Sequence, residues 1–285
     1  ETMIQKVRER IKAEHLNDDG TFKTQILNTM QTPALFALKN GLVEGEAKKD
    51  MIARLRQNFA DHGNCLQTGF LGTSILMSTL TENGMVDMAY ELLFQRKNPS
   101  WLYSIDNGAT TIWELWNGDK ANPKMNSGNH VMLLGDLLTW CYQNLGGIKN
   151  GNGVAYKHIV LKPDFDIQDC SHANVSYQTP YGKVVSNWKK TLQQLSWDVE
   201  IPCNTTADVH LPDGKVKKIG SGTYHFDCKI PTSHPAIVED NFLYETTSFP
   251  QCHAGTILEL PNGDLLASYF GGTRERNPDV CIWVS

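Results

Sequence analysis

Absences narrow this 285-residue chain before any motif does. Its seven cysteines include no C-x-x-C pair, which excludes a local zinc knuckle and a thioredoxin-type redox motif. Their odd number and wide spacing also speak against a dense disulfide framework. Free cysteine behaves as a small hydrophobe, so most of the seven are expected to be buried thiols. No Lys/Arg cluster interrupts a net charge of −5, which argues against nucleic acid as a partner. No apolar run approaches the ~20 residues a membrane-spanning helix needs. His15, His62, His158, His172, His210 and His225 show no metal-ligand spacing, so neither a metal nor another cofactor is expected.

What remains is an ordinary globular composition, 40% hydrophobic and 20% charged, with enough length for two domains or one large one. The first residues already read as a helix, position 1 is Glu1, and the last residues stop inside a strand pattern. The chain is therefore expected to be a piece of a longer protein, and a missing leader peptide carries no information.

Up to about residue 147 the apolar period is helical. Helices are expected over 2–15, 26–38, 44–60, 68–80 and 85–95, with stops at Asn40-Gly41, His62-Gly63 and Asn83-Gly84. Residues 97–108 read as a loop. A short helix is expected around Glu114, and a long last one from Ser127 or its neighbour to Leu145. Helices joined by short loops pack as α-hairpins; a ring of them is an α/α toroid, and an ordinary bundle is the alternative. From residue 156 the period becomes two. Strands around Ile159, Val175, Val185, Trp197, Val209 and Phe226, with turns between them, read as a small β-sandwich. A Pro- and Ser-containing linker is expected over 230–241. Three further antiparallel strands over 252–284 look like the opening of something larger, such as a propeller blade.

Residues 108–116, Gly-Ala-Thr-Thr-Ile-Trp-Glu-Leu-Trp, set the single carboxylate of Glu114 between Trp113 and Trp116. Trp101 and Tyr103 precede it; Asn129 and His130 follow. Indole faces pack on rings and polar groups bond hydroxyls, so this set suits a neutral, hydroxylated, ring-shaped ligand. A solvent-facing Glu beside core tryptophans is the plainer reading. On a glycoside, Glu114 could act as acid, base or nucleophile, and a second carboxylate is then required. Asp106, Asp119 and Asp136 are nearest in sequence, and none carries a specific signal.

The 108–116 block, with Pro-Ser-Trp-Leu-Tyr at 99–103, Asn-Ser-Gly-Asn-His at 126–130 and Thr-Gly-Phe-Leu-Gly-Thr at 68–73, resembles the inverting bacterial α-L-rhamnosidases of glycoside hydrolase family 78. The strand segments 156–163, 176–183 and 220–226 fit the same resemblance, which covers residues 1 to about 230. It implies the C-terminal half of an (α/α)6 catalytic barrel over 1–150 and an antiparallel β-sandwich over 151–232. Glu114 would be the general base, His130 and Asn129 would bind the sugar, and Trp101 and Trp113 would wall its pocket. The general acid would lie in an earlier motif outside this sequence. The loop between Trp116 and Asn126 is shorter than in many relatives, which bears on the aglycone side. A rhamnose-containing oligo- or polysaccharide is the implied partner, and a periplasmic or extracellular location the implied setting.

Residues 252–264 and 270–280 resemble the start of a sialidase-like BNR β-propeller, with Arg274, Glu275 and Asp279 as pocket candidates in a 233–285 segment. Two other functions stay open. One is a non-catalytic carbohydrate-binding protein on the same scaffold. The other is a polysaccharide lyase, against which the acidic net charge and the lack of clustered Arg weigh.

Overall fold

The computed structural model describes residues 2–152, 154–165, 167, 170–191, 194–230, 248–262, 264–274 and 277–284. Helices come first. α1 (Met3–His15) starts at a capping box, in which Thr2 and Gln5 satisfy each other's backbone N–H groups. α2 (Gln31–Lys39) ends where Gly41 takes a left-handed φ of 62°, letting Leu42 N–H reach the Ala37 carbonyl at 2.9 Å. α3 (Gly45–Asp61) buries Met51, Leu55 and Phe59, one residue per turn, and keeps its charges on the opposite face. α4 (Phe70–Thr73) and α5 (Leu76–Glu82) divide the expected fourth helix, and α6 (Val86–Phe94) follows. α2 packs against α3 and α5 against α6.

Beyond α6 the helical expectations need correction. Residues 97–108 are not all loop: α7 (Trp101–Asp106) begins at Ser100, whose hydroxyl accepts the Tyr103 N–H at 3.1 Å. No helix forms around Glu114. The β-branched Thr110-Thr111-Ile112 run resists one, and the Thr111 hydroxyl, the Ile112 carbonyl and the Glu114 N–H bond to residues 127–130 instead. The expected long last helix is broken. Val131–Leu134 is a single 3₁₀ turn, Gly135 reverses the chain at φ 61° and ψ −138°, and only then does α8 (Leu137–Trp140) run into a wide π turn over Cys141–Leu145.

Eight strands follow: β1 (Ile148–Asn150), β2 (His158–Leu161), β3 (His172–Thr179), β4 (Gly182–Lys190), β5 (Gln194–Ile201), β6 (Thr206–His210), β7 (Val216–Ile219) and β8 (Gly222–Lys229). They make two four-stranded sheets, ordered β1-β2-β6-β7 and β3-β4-β5-β8. The expected sandwich is antiparallel except at one place, where β2 and β6 run parallel. The chain leaves β2, builds three strands of the other sheet and returns, a crossover that delivers β6 in the direction of β2.

Between the sheets the alternation is strict. Leu195, Trp197, Val199 and Ile201 of β5 are buried while Gln194, Ser196, Asp198 and Glu200 are exposed. Phe165 stands edge-on to Trp188 and Trp197, with centroids 5.7 and 5.3 Å away. Removing either indole would cost about 3–5 kcal/mol.

The helices and sheets share one core. At their seam Trp188 Nε1 donates to the Leu145 carbonyl (2.7 Å), Lys162 N–H to Gly147 (2.9 Å) and Asp164 N–H to Asn144 (2.8 Å). Gly147 sits at φ 67°, and a Cβ there would fall 2.1 Å from the Pro163 nitrogen, so glycine alone fits this crossing.

β9 (Gln251–Glu259), β10 (Leu265–Gly272) and β11 (Cys281–Val284) form a separate three-stranded antiparallel meander with β10 at its centre. The expected linker lies outside the described residues from 231 onward. Of the seven cysteines only Cys65 is buried, whereas Cys203, Cys252 and Cys281 are exposed. The last two lie on a thin three-stranded sheet whose β11 is exposed at every position, which overrides their apolar preference. No helix among the described residues is long and apolar enough to cross a membrane.

Candidate active site

Glu114 sits in a segment with no regular structure, held by a second one. Thr111 Oγ1 donates to the Gly128 carbonyl (2.5 Å), His130 N–H to Ile112 (2.6 Å) and Glu114 N–H to Ser127 (3.0 Å). These three bonds zip residues 111–114 against 127–130. The fourth bond uses the carboxylate itself: Ser127 N–H donates to Glu114 Oε2 at 2.6 Å. One oxygen is thereby fixed by a charge-assisted bond, and Oε1 has no hydrogen-bond partner among the described residues. The side chain is half-buried.

His130 arrives on the same zipper. It is not in the first turn of a helix, as the sequence pattern implied, but precedes the 3₁₀ turn, so no α-helix dipole acts on it. Its Nδ1 is buried with no partner among the described residues. An unsatisfied buried nitrogen costs about 1–3 kcal/mol and calls for an explanation. Asn129 is exposed; its N–H bonds the Ser127 hydroxyl at 3.0 Å, closing a tight turn next to Glu114's clamp.

The tryptophans differ from one another. Trp101 is buried at 6% exposure, donates Nε1 to the Leu133 carbonyl (2.8 Å), and meets Trp116 edge-on at 5.8 Å. Trp116 in turn donates to the Thr68 carbonyl at 2.8 Å. These two indoles tie α7, the Glu114 segment and the 131–134 turn together. Trp113 is half-buried and lies on Gly118, where a Cβ would come within 2.5 Å of the ring. Tyr103 donates its hydroxyl to Asp119 at 3.0 Å.

Each carboxylate nearest Glu114 in sequence has other work. Asp106 takes a bidentate bond from Arg96 (2.7 and 2.8 Å). Asp119 accepts from Tyr103. Asp136 accepts the Met77 and Ser78 N–H groups (3.0 and 2.8 Å), which caps the start of α5. The sequence pattern marks Ser127 as a helix cap and assigns no role of their own to Thr111, Gly118 or Gly135. Their signal was weak: small or hydroxylated residues in two irregular stretches whose pairing no local pattern reveals.

In the C-terminal meander, Asp279 accepts from the Thr273 N–H (2.9 Å) and hydroxyl. These bonds hold its exposed carboxyl below the usual range and close the loop that carries Arg274. Arg274 is exposed, and its carbonyl accepts the Asn277 N–H. Glu275 lies outside the described residues. Among the described residues no three His, Cys, Asp or Glu side chains converge as metal ligands.

A family model described as the bacterial alpha-L-rhamnosidase 6 hairpin glycosidase domain matches residues 1–145. The chain belongs to the bacterial α-L-rhamnosidase family. The C-terminal domain model of the same α-L-rhamnosidases matches residues 147–226. An α-L-rhamnosidase from Formosa agariphila is 40% identical over 195 residues, covering 67% of this chain and 21% of that protein. The crystal structure of a Streptomyces avermitilis α-L-rhamnosidase complexed with L-rhamnose superposes with a TM-score of 0.71 at 31% identity, over 79% of this chain and 24% of that one. The α-L-rhamnosidase from Aspergillus terreus gives 0.70 at 26% identity, over 79% and 26%. The chain thus spans about a fifth of the length of the curated rhamnosidases it matches.

Proposed function

We propose that this chain belongs to an inverting α-L-rhamnosidase that releases terminal α-L-rhamnose from a complex glycan. The observation that carries the proposal is Glu114: one carboxylate oxygen is clamped by Ser127 N–H and the other is unpaired among the described residues. In this role Oε1 takes a proton from water as the water attacks the anomeric carbon from the face opposite the leaving group. The backbone zipper fixes the carboxylate's direction, so little reorganisation is needed at that step. His130 Nδ1 gains the partner it lacks by bonding a sugar hydroxyl. Asn129 supplies a further polar contact and Trp113 an apolar wall. Trp101 acts from beneath, holding Trp116 and the 131–134 turn.

Asp106, Asp119 and Asp136 are engaged elsewhere, so the general acid is assigned to a carboxylate outside these residues, roughly 6.5–9.5 Å across the sugar from Glu114. The domain division follows: a portion of the barrel over residues 1–150, the sandwich over 151–232 and a C-terminal segment over 233–285. The last is read as the opening strands of a sialidase-like propeller, supported by the meander and by the Thr273–Asp279 loop. A periplasmic or extracellular setting fits a glycan substrate.

Glu114→Gln, made in the longer protein that carries this chain, should lower kcat for an aryl α-L-rhamnoside by about 10²–10⁴-fold while leaving its thermal stability unchanged. Near-normal turnover would refute the assignment. Residues 1–285 alone should release no rhamnose, because the acid is absent; measurable release would place the acid within the chain.

A further inference from the structure

Three tyrosine rings meet where the helices join the sandwich. Tyr142 comes from the π turn after α8, Tyr156 from the turn before β2, and Tyr177 from β3, the edge strand of its sheet. Tyr142 and Tyr177 stand edge to face at 5.6 Å, and Tyr156 and Tyr177 are tilted at 5.1 Å. Tyr177 remains 36% exposed. Along the same edge, in the turn between β3 and β4, Tyr181 is 38% exposed and carries the Lys157 ammonium 5.1 Å from its ring centre.

The backbone that presents Tyr156 is strained. Ala155 (φ 53°, ψ 44°) and Tyr156 (φ 69°) are consecutive non-glycine residues in the left-handed region. Such conformations persist only where the surroundings hold them, and they cluster at ligand sites. Here Asn150 Oδ1 accepts the Tyr156 N–H at 2.9 Å and the ring is held against Tyr177. The three phenol oxygens have no hydrogen-bond partner outside the trio among the described residues, and burial together with the Tyr177 hydroxyl pushes the Tyr156 phenol up.

We propose that Tyr142, Tyr156, Tyr177 and Tyr181 form an accessory binding platform for the pyranose rings of a neutral glycan, built from residues other than those around Glu114. Sugar C–H faces pack on the rings, and sugar hydroxyls bond the free phenols. The platform holds a polymer chain on the protein between hydrolytic events. This inference rests on the reading of the protein as glycan-active.

Titration calorimetry of the protein against a soluble rhamnan tests it. Tyr177→Ala should weaken binding about tenfold. Tyr156→Gly removes a ring where glycine suits the backbone, so the variant should stay folded and weaken binding similarly. Ala155→Gly, which relieves strain and touches no ring, should raise the melting temperature and leave affinity unchanged. No rhamnan binding by the unaltered protein, or wild-type affinity in folded Tyr177→Ala and Tyr156→Gly, would overturn the platform and leave the hydrolytic assignment standing. Full turnover by Glu114→Gln would overturn that assignment without touching the calorimetric result.

Discussion

Replacing Gly135 with alanine tests how the Glu114 region is assembled. Gly135 has φ 61° and ψ −138°, a combination that side-chain-bearing residues avoid at about 1–3 kcal/mol. The added methyl also has no room. It would lie 2.2 Å from the Thr73 carbonyl oxygen, 2.6 Å from its carbon and 2.7 Å from Thr73 Cγ2. Two of these are backbone atoms, held by α4 and by the Asp136 N–H bond to the same oxygen at 3.3 Å. Relief therefore means moving the 131–136 turn away from α4, a further loss of about 1–3 kcal/mol by analogy with overpacked cores. The sum, about 2–6 kcal/mol, should lower the melting temperature by roughly 4–12 °C for a chain of this size. Gly41→Ala is the control. Its φ is 62° but nothing lies within 4 Å of its Cβ position, so only the conformational cost applies. Calorimetric melting of both variants separates the two contributions. Equal shifts for Gly135→Ala and Gly41→Ala would show that the approach to Thr73 is not a constraint. In the longer protein Gly135→Ala should also impair rhamnoside turnover, because the displaced turn follows directly on His130.

Asp136→Ala should destabilise the chain by roughly 2 kcal/mol, since it leaves the Met77 and Ser78 N–H groups without their acceptors; chemical denaturation reads this, and a loss under about 0.5 kcal/mol would deny the cap its role. His225 bridges Asp198 (2.7 Å) and Asp227 (3.1 Å) across β5 and β8, and these bonds raise its pKa above the ordinary value near 6.5. A raised folded pKa gives stability that is complete below about pH 6.5 and is lost as pH climbs through the folded value. His225→Gln should flatten the melting-temperature profile on that alkaline side, and an unchanged slope would remove the bridge from the account.

The order of elements was legible because periodicity is a local property. Leu195, Trp197, Val199 and Ile201 announce a strand with one buried face wherever it packs. Met51, Leu55 and Phe59 announce a helix with one buried stripe. The parallel β2–β6 pair was not legible, because the path from one sheet to the other and back leaves no trace in the alternation of either strand. The cysteines failed for a related reason. Burial follows the depth of the sheet that carries a residue, and Cys252 and Cys281 ride a three-stranded sheet with open faces.

The site was legible as chemistry but not as architecture. Glu114, Trp113 and His130 stood out by residue type, yet the helical reading of both segments that carry them was wrong. Position along a helix would have set Glu114 and His130 independently of one another. The zipper of 111–114 on 127–130 sets them together, since the same run of backbone bonds that fixes the carboxylate also fixes the imidazole. The tryptophans show the converse. Trp101 looks like a ligand-facing indole in the sequence, but its Nε1 is committed to Leu133 and its ring to Trp116, so its contribution passes through the turn it supports. A substitution at Trp101 should therefore act on the fold and on turnover together, whereas Glu114→Gln, which keeps an acceptor for the Ser127 N–H, acts on turnover alone. That split separates the residues that hold the site from the residue that works in it.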